Sequence, residues 1–213
     1  YFTEQTVQKE QGIIGQEIRM YEDEPGWESL FVLLRAMYHK HPVRIDIAGT
    51  VESISEITAD LLYECYNTFY NPANMALILV GDINIEEALK IVDKHISPER
   101  NLGKIERLDV AEPNGRVQEY IEQELAVSQP IFRIGFKDNL PGMKGDTLLK
   151  KEIATEIILE AIFGKSGDLY LEMYEQSLID SSFGYETDIE REYGFTLIGG
   201  ESANPQRVYK IVK

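Results

Sequence analysis

Along the first half of the chain, apolar residues recur at helical spacing. Ile13, Ile14 and Ile18 mark one side of a segment that Thr3 can cap, which predicts a helix running to about Tyr21. Pro25 sits where a second helix can begin, with Trp27, Leu30, Leu33, Leu34 and Met37 on its apolar side. "HPVRIDIAGTVESI" interrupts the pattern with Pro42 and Gly49 and reads as an extended loop. Leu61, Leu62, Cys65 and Phe69 restore helical spacing and predict a third helix from Thr58 to Phe69. "NPAN" is a turn signal, and the unbroken apolar run in "MALILVGD" predicts a fully buried strand. Asn84 then caps a helix through His95.

Residues 97–115, "SPERNLGKIERLDVAEPNG", hold prolines, glycines and charges without sustained periodicity and read as a linker. Beyond it the order of elements restarts. "RVQEYIEQEL" alternates weakly, and "PIFRIGF" reads as a buried strand. A long helix is predicted from about Asp146 to Phe163, with Leu149, Ile153, Ile157, Ile158 and Ile162 on its apolar side. "GKSG" is a turn leading to a helix over "DLYLEMYEQSL", and "SSFGYETDI" with "GFTLIGGE" forms a hairpin. The expected class is α+β, with antiparallel sheets flanked by helices. Two related partial domains, 1–96 and 116–213, are joined by the linker.

Composition narrows the function. Hydrophobic residues make up 43% and charged residues 27% of the 213, an ordinary globular balance. The net charge of −16 repels a phosphate backbone and an anionic bilayer, so neither nucleic acid nor membrane is an expected partner. Cys65 is the single cysteine, which excludes an intrachain disulfide and thiol-rich zinc sites and suits a reducing, cytoplasmic location. No apolar run spans a bilayer and no signal peptide is visible. Tyr1 in first place and a closing stretch, "QRVYKIVK", that reads as a truncated helix lead us to expect a piece of a longer protein.

The candidate chemistry lies in the first helix. Glu10 and Glu17 are seven residues apart, two turns with about 20° of drift, so their carboxylates share a face. Gly12 and Gly15 between them allow another element to approach closely. A carboxylate beside such a surface would be partly desolvated and would need a cation or donors; a divalent zinc ion would serve. Two solvated glutamates on an acidic helix would show the same spacing.

"EQGIIGQEIRM", "HPVRIDIAGTVESI" and "FYNPANMALILVGDI", in that order, together resemble the insulinase-like zinc peptidases, the family of pitrilysin and the mitochondrial processing peptidases. The resemblance covers about Thr3 to Ile96. It implies an inverted zinc motif, H-x-x-E-H, on one helix and a third ligand from a downstream E-x6-E pattern. On that basis Glu17 would be the zinc ligand and Glu10 the supporting carboxylate. This chain contains no H-x-x-E-H. The resemblance therefore implies the end of a catalytic domain joined to the start of a second, non-catalytic one. Zn²⁺ would be held in the full-length protein and not by this fragment, which would be inactive alone. The family's second domain often carries R-x6-Y to contact substrate. Here Tyr174 and Ser181 stand at those positions and Tyr185 is off register, so that role is not carried over.

The implied activity is zinc-dependent endopeptidase cleavage of peptides or unfolded segments in an enclosed chamber, with a homodimer or a paralogous non-catalytic subunit as partner. The alternative is a non-catalytic partner or scaffold of the same family. A third reading is an unrelated α+β binding domain with chance matches. His39 and His41 could join Glu10 or Glu17 at a metal. A helix end where imidazole meets free carbonyls is the simpler role for them and for His95. Cys65, Phe69, Tyr70, Phe132 and Phe136 are expected in the core.

Overall fold

The computed structural model describes residues 1–96, 105–106, 108, 110–139 and 141–213. Among them are eight α-helices and one three-stranded antiparallel sheet, an α+β architecture. The helices are α1 (Glu4–Glu22), α2 (Pro25–Met37), α3 (Val51–Ser55), α4 (Ala59–Phe69), α5 (Ile85–His95), α6 (Gly145–Phe163), α7 (Asp168–Glu175) and α8 (Pro205–Val212). The strands are β1 (Ile131–Lys137), β2 (Gly184–Ile189) and β3 (Gly194–Glu201), in the order β1-β3-β2. Among the described residues, no helix is long and apolar enough to cross a membrane.

The chain forms two compact units. One comprises Tyr1–Gln16 and Thr50–Asp109, the other Glu17–Gly49 and Val110–Lys213. These units cut across the division expected at residues 97–115. Residues 97–104, 107 and 109 of that linker lie outside the described residues.

The second unit is built on the sheet. Ile134 faces Ile198 across β1 and β3, and Tyr185 faces Ile198 across β2 and β3. Successive β3 residues point to opposite faces. Phe195 and Leu197 therefore pack with Phe31, Leu34, Met37 and Tyr38 of the α2 region, while Ile198 packs with Leu159, Phe163, Tyr170, Met173 and Phe183. Both faces are covered, which is why these strands read as near-continuous apolar runs. Gly135 permits the α2 contact: a Cβ there would run into Met37 Sδ and Leu33. Tyr38 closes this side, its buried hydroxyl donating to Gly194 O at 2.6 Å.

A half-buried polar knot fixes the entry to the sheet. Glu112 accepts backbone N–H groups from His39, Lys40 and His41 at 2.7–2.8 Å and pairs with Lys137 Nζ at 2.7 Å. The same ammonium donates to the carbonyls of Met37, Pro113 and Gly115. Burial alone would push Glu112 up; the Lys137 bond and the three N–H groups outweigh it and hold the carboxyl at about 2. The end of the expected linker is thus tied to β1.

Among the described residues, the first unit has helices and no strand. Thr58 caps α4 and Asn84 caps α5, as the sequence suggests. Residues 41–54, expected as an extended loop, contain a 3₁₀ turn at Pro42–Arg44, which belongs to the second unit, and the short α3 of the first, which Thr50 and Ser53 start with a reciprocal capping box. Residues 75–80, expected as a buried strand, take no strand pairing and are exposed, Val80 at 93%. An apolar run becomes a strand only beside a ladder partner, and none is present among the described residues. "RVQEYIEQEL" likewise forms no strand. Cys65, Phe69 and Tyr70, expected in the core, are exposed, as is Phe136; Phe132 packs against the core.

Helix α6 also presents a different face from the expected one. Leu159 and Phe163 are buried, while Leu149, Ile153, Ile157, Ile158 and Ile162 are exposed. Apolar residues lie all round this helix, so periodicity alone marks no face.

Candidate functional site

Glu10 and Glu17 both stand on α1, Glu10 in the first compact unit and Glu17 in the second. The helix buries Val7, Gly15 and Ile18, with Gln11 half-buried. Ile13 and Ile14, expected on the buried side, are exposed. In the first unit the packing is against α3: a Cβ on Gly15 would meet Ile54 Cδ1 at 3.8 Å, whereas Gly12 has nothing within 4 Å. Gln11 Nε2 donates to the carbonyls of Ile54 and Ile57, each at 2.9 Å.

Both carboxylates are exposed, so the desolvation expected from the neighbouring glycines is not found. Glu10 makes no hydrogen bond or ion pair among the described residues. Glu17 Oε1 accepts from the Tyr21 hydroxyl at 3.2 Å, one turn along the helix. As acceptor and as charge, Glu17 pushes Tyr21 above its ordinary value. Tyr21 stacks on Trp27, with ring centroids 5.1 Å apart, and Trp27 Nε1 donates to Asp46 Oδ2 at 2.6 Å. Sequence reading missed Tyr21. The i, i+4 spacing from Glu17 was available as a signal; the Trp27–Asp46 anchor was not.

Among the described residues, the histidines and these carboxylates form no metal-holding group. His39 meets Glu112 only through its backbone N–H. His41 is buried beside Tyr193, and its Nδ1 accepts from Val43 N–H at 3.1 Å. It therefore meets a backbone donor, not the free carbonyl expected. Burial pushes His41 below its ordinary value, while Glu112 opposes that shift. His95 ends α5 and is exposed.

Tyr174 is exposed on α7 and stacks on Tyr170 at 5.8 Å, and Ser181 is exposed in the following turn. Tyr185 donates to Glu160 of α6. "GKSG" is the α6–α7 turn, closed by Gly167 N–H to Gly164 O at 2.8 Å. An open groove of about 420 Å³ in the second unit is lined by Glu24, Ser128, Arg133, Ser182 and Glu201 among others. Its Arg133 is engaged in fastening α2 to β1, donating to Ser29 Oγ at 2.8 Å and to Gly26 O at 3.0 Å.

Residues 56–213 match the model of the Peptidase M16 inactive domain. The chain is 45% identical over 210 residues to the "Uncharacterized zinc protease YmfH" of Bacillus subtilis, covering 98% of this chain and 49% of that protein. It is 28% identical over 141 residues to the "Probable inactive metalloprotease YmfF" of the same organism, covering 65% and 32%. Among solved structures, an M16-like peptidase from Alicyclobacillus acidocaldarius superposes with a TM-score of 0.87 at 35% identity, covering 100% of this chain and 50% of that one. Pitrilysin, with a TM-score of 0.62 at 13% identity over 98% of this chain and 22% of that one, shares the fold. The chain belongs to the insulinase-like M16 peptidase family. It spans about half the length of the first of these relatives.

Zinc takes three or four donors in such proteins. Among the described residues, no three His, Cys, Asp or Glu side chains are grouped to hold a metal. Glu17 fits as one donor: it is exposed, its Oε1 is engaged by Tyr21, and its Oε2 takes no hydrogen bond among the described residues. The described residues offer one carboxylate donor and not a complete site.

Proposed function

We propose that this chain is part of a zinc-dependent endopeptidase that cleaves peptides or unfolded segments in an enclosed chamber, and that it is inactive alone. The observation that carries the reading is Glu17: an exposed carboxylate, held by Tyr21 and seven residues after Glu10, in a chain 45% identical to a protein named as a zinc protease. Glu17 would hold the metal together with histidines from outside this chain, and Glu10 would support the site by its negative charge. When bound, zinc supplies a Lewis acid and lowers the pKa of its water. Substrate would lie along this chain as an extended peptide, and an open sheet edge such as β2 can accept an added strand. A homodimer or a paralogous subunit would complete the assembly.

The test is zinc-dependent cleavage of a quenched peptide by the parent polypeptide. Glu17→Gln abolishes turnover if the reading holds, and unchanged turnover refutes it. Steady zinc-dependent cleavage by the 213-residue chain alone would also contradict it.

Two observations favour a second reading, a non-catalytic partner or scaffold. Tyr174 and Ser181 stand where the family often has Arg and Tyr, and one relative is named as an inactive metalloprotease. The parent sequence decides: H-x-x-E-H ahead of this segment supports the protease, and its absence supports the scaffold.

A further inference from the structure

An exposed glutamate has three side-chain torsions and no reason to hold one orientation. Glu17 is exposed, yet it sits at the end of a chain of contacts that runs back to the core. Phe31 is buried among Leu34, Met37 and Leu197. Its ring meets Trp27 at 5.3 Å. Trp27 is fixed at its other edge by the 2.6 Å bond to Asp46 Oδ2, and Asp46 is itself held because Oδ1 accepts Ala48 N–H at 2.9 Å. Tyr21 stacks on Trp27 with the ring planes 28° apart and, having only two torsions, delivers its hydroxyl to Glu17 Oε1. All these residues belong to the second compact unit.

The Tyr21 hydroxyl engages Oε1, and Oε2 takes no hydrogen bond among the described residues. We propose that Tyr21 is the positioning residue of Glu17: its hydroxyl, anchored through Trp27 and Asp46, fixes the carboxylate so that Oε2 serves as a single-oxygen ligand to zinc. The inference rests on the zinc-ligand reading of Glu17 and adds to it the group that orients the ligand. Hydrogen bonds to ligating side chains fix their orientation, and losing one typically weakens metal binding about 10- to 100-fold.

The test is zinc affinity in the parent polypeptide, measured by competition with a chromophoric chelator and independent of turnover, alongside the melting temperature of the metal-free protein. Tyr21→Phe keeps the ring and its stacking. It should weaken zinc about 10-fold while leaving metal-free melting unchanged. Trp27→Phe, which loses the Asp46 anchor, should weaken zinc by less. Glu17→Gln should weaken it by at least about 100-fold. Wild-type affinity in Tyr21→Phe combined with loss of zinc in Glu17→Gln overturns the inference and leaves the ligand reading standing. A lowered metal-free melting temperature in Tyr21→Phe with unchanged affinity also overturns it, since that marks a purely structural tyrosine. Wild-type affinity in Glu17→Gln, or a parent that binds no zinc, removes the ligand reading and the inference together.

Discussion

The two compact units solve the same problem with different success. The second places a sheet between two sets of helices and buries Met173, Phe183, Leu197 and Val208 almost completely. The first leaves Leu77, Ile78, Leu79 and Val80 in solvent, together with Leu61, Tyr66, Phe69 and Leu89 on its helices. Their apolar content is similar; what differs is a partner surface. A helix can satisfy its own backbone, whereas an extended apolar segment needs a neighbouring strand before burial can stabilise it. The chain spans about half the length of the first of its relatives, and among the described residues no strand pairs with residues 75–80.

That contrast can be tested by substitution. Phe183→Ala, in the α6–α8 side of the sheet, should cost about 4 kcal/mol, read as a lowered urea midpoint. Glu112→Ala should come next, at about 3 kcal/mol, because it leaves three backbone N–H groups without their acceptor and the Lys137 ammonium without its counter-charge. The carboxyl is depressed in the folded state, so its contribution is complete above the unfolded value of about 4.3 and is lost as pH falls toward about 2. Wild-type stability should therefore fall across that window, and Glu112→Gln should flatten the fall in acid-denaturation curves. In the first unit the effects should be smaller. Thr58→Ala removes the α4 cap and should cost about 1 kcal/mol, seen as roughly five-fold faster hydrogen exchange of the α4 amides. Val80→Ser should change stability by less than about 0.5 kcal/mol. If Val80→Ser instead costs as much as Phe183→Ala, residues 75–80 are buried in solution and the comparison fails.

The same contrast separates what the sequence made legible from what it did not. Helices α1, α2, α4 and α5 could be read because their caps and starts are local: Thr58 and Asn84 as caps, Pro25 in the first turn. β1 and β3 could be read because both faces are covered, which leaves an apolar run with no polar alternation. Residues 75–80 show the same run and no strand, because pairing is a property of two segments. Helix α6 is apolar on several sides, so the choice of Leu159 and Phe163 over the isoleucine stripe came from its neighbours. Of the candidate site, spacing and resemblance pointed to Glu17, which the structure places exposed on α1 within reach of the Tyr21 hydroxyl. Tyr21 was within reach of helical spacing. Trp27, Asp46 and the Glu112–Lys137 knot join residues 19 and 25 positions apart, where no local pattern points to them.

The most direct test of the zinc-ligand reading is a crystal structure of the zinc-loaded parent polypeptide with anomalous data collected at the zinc edge. The account predicts a zinc peak with Glu17 Oε2 as a ligand at about 2.0–2.2 Å and Tyr21 still on Oε1. A zinc site whose ligands leave out Glu17 would contradict it.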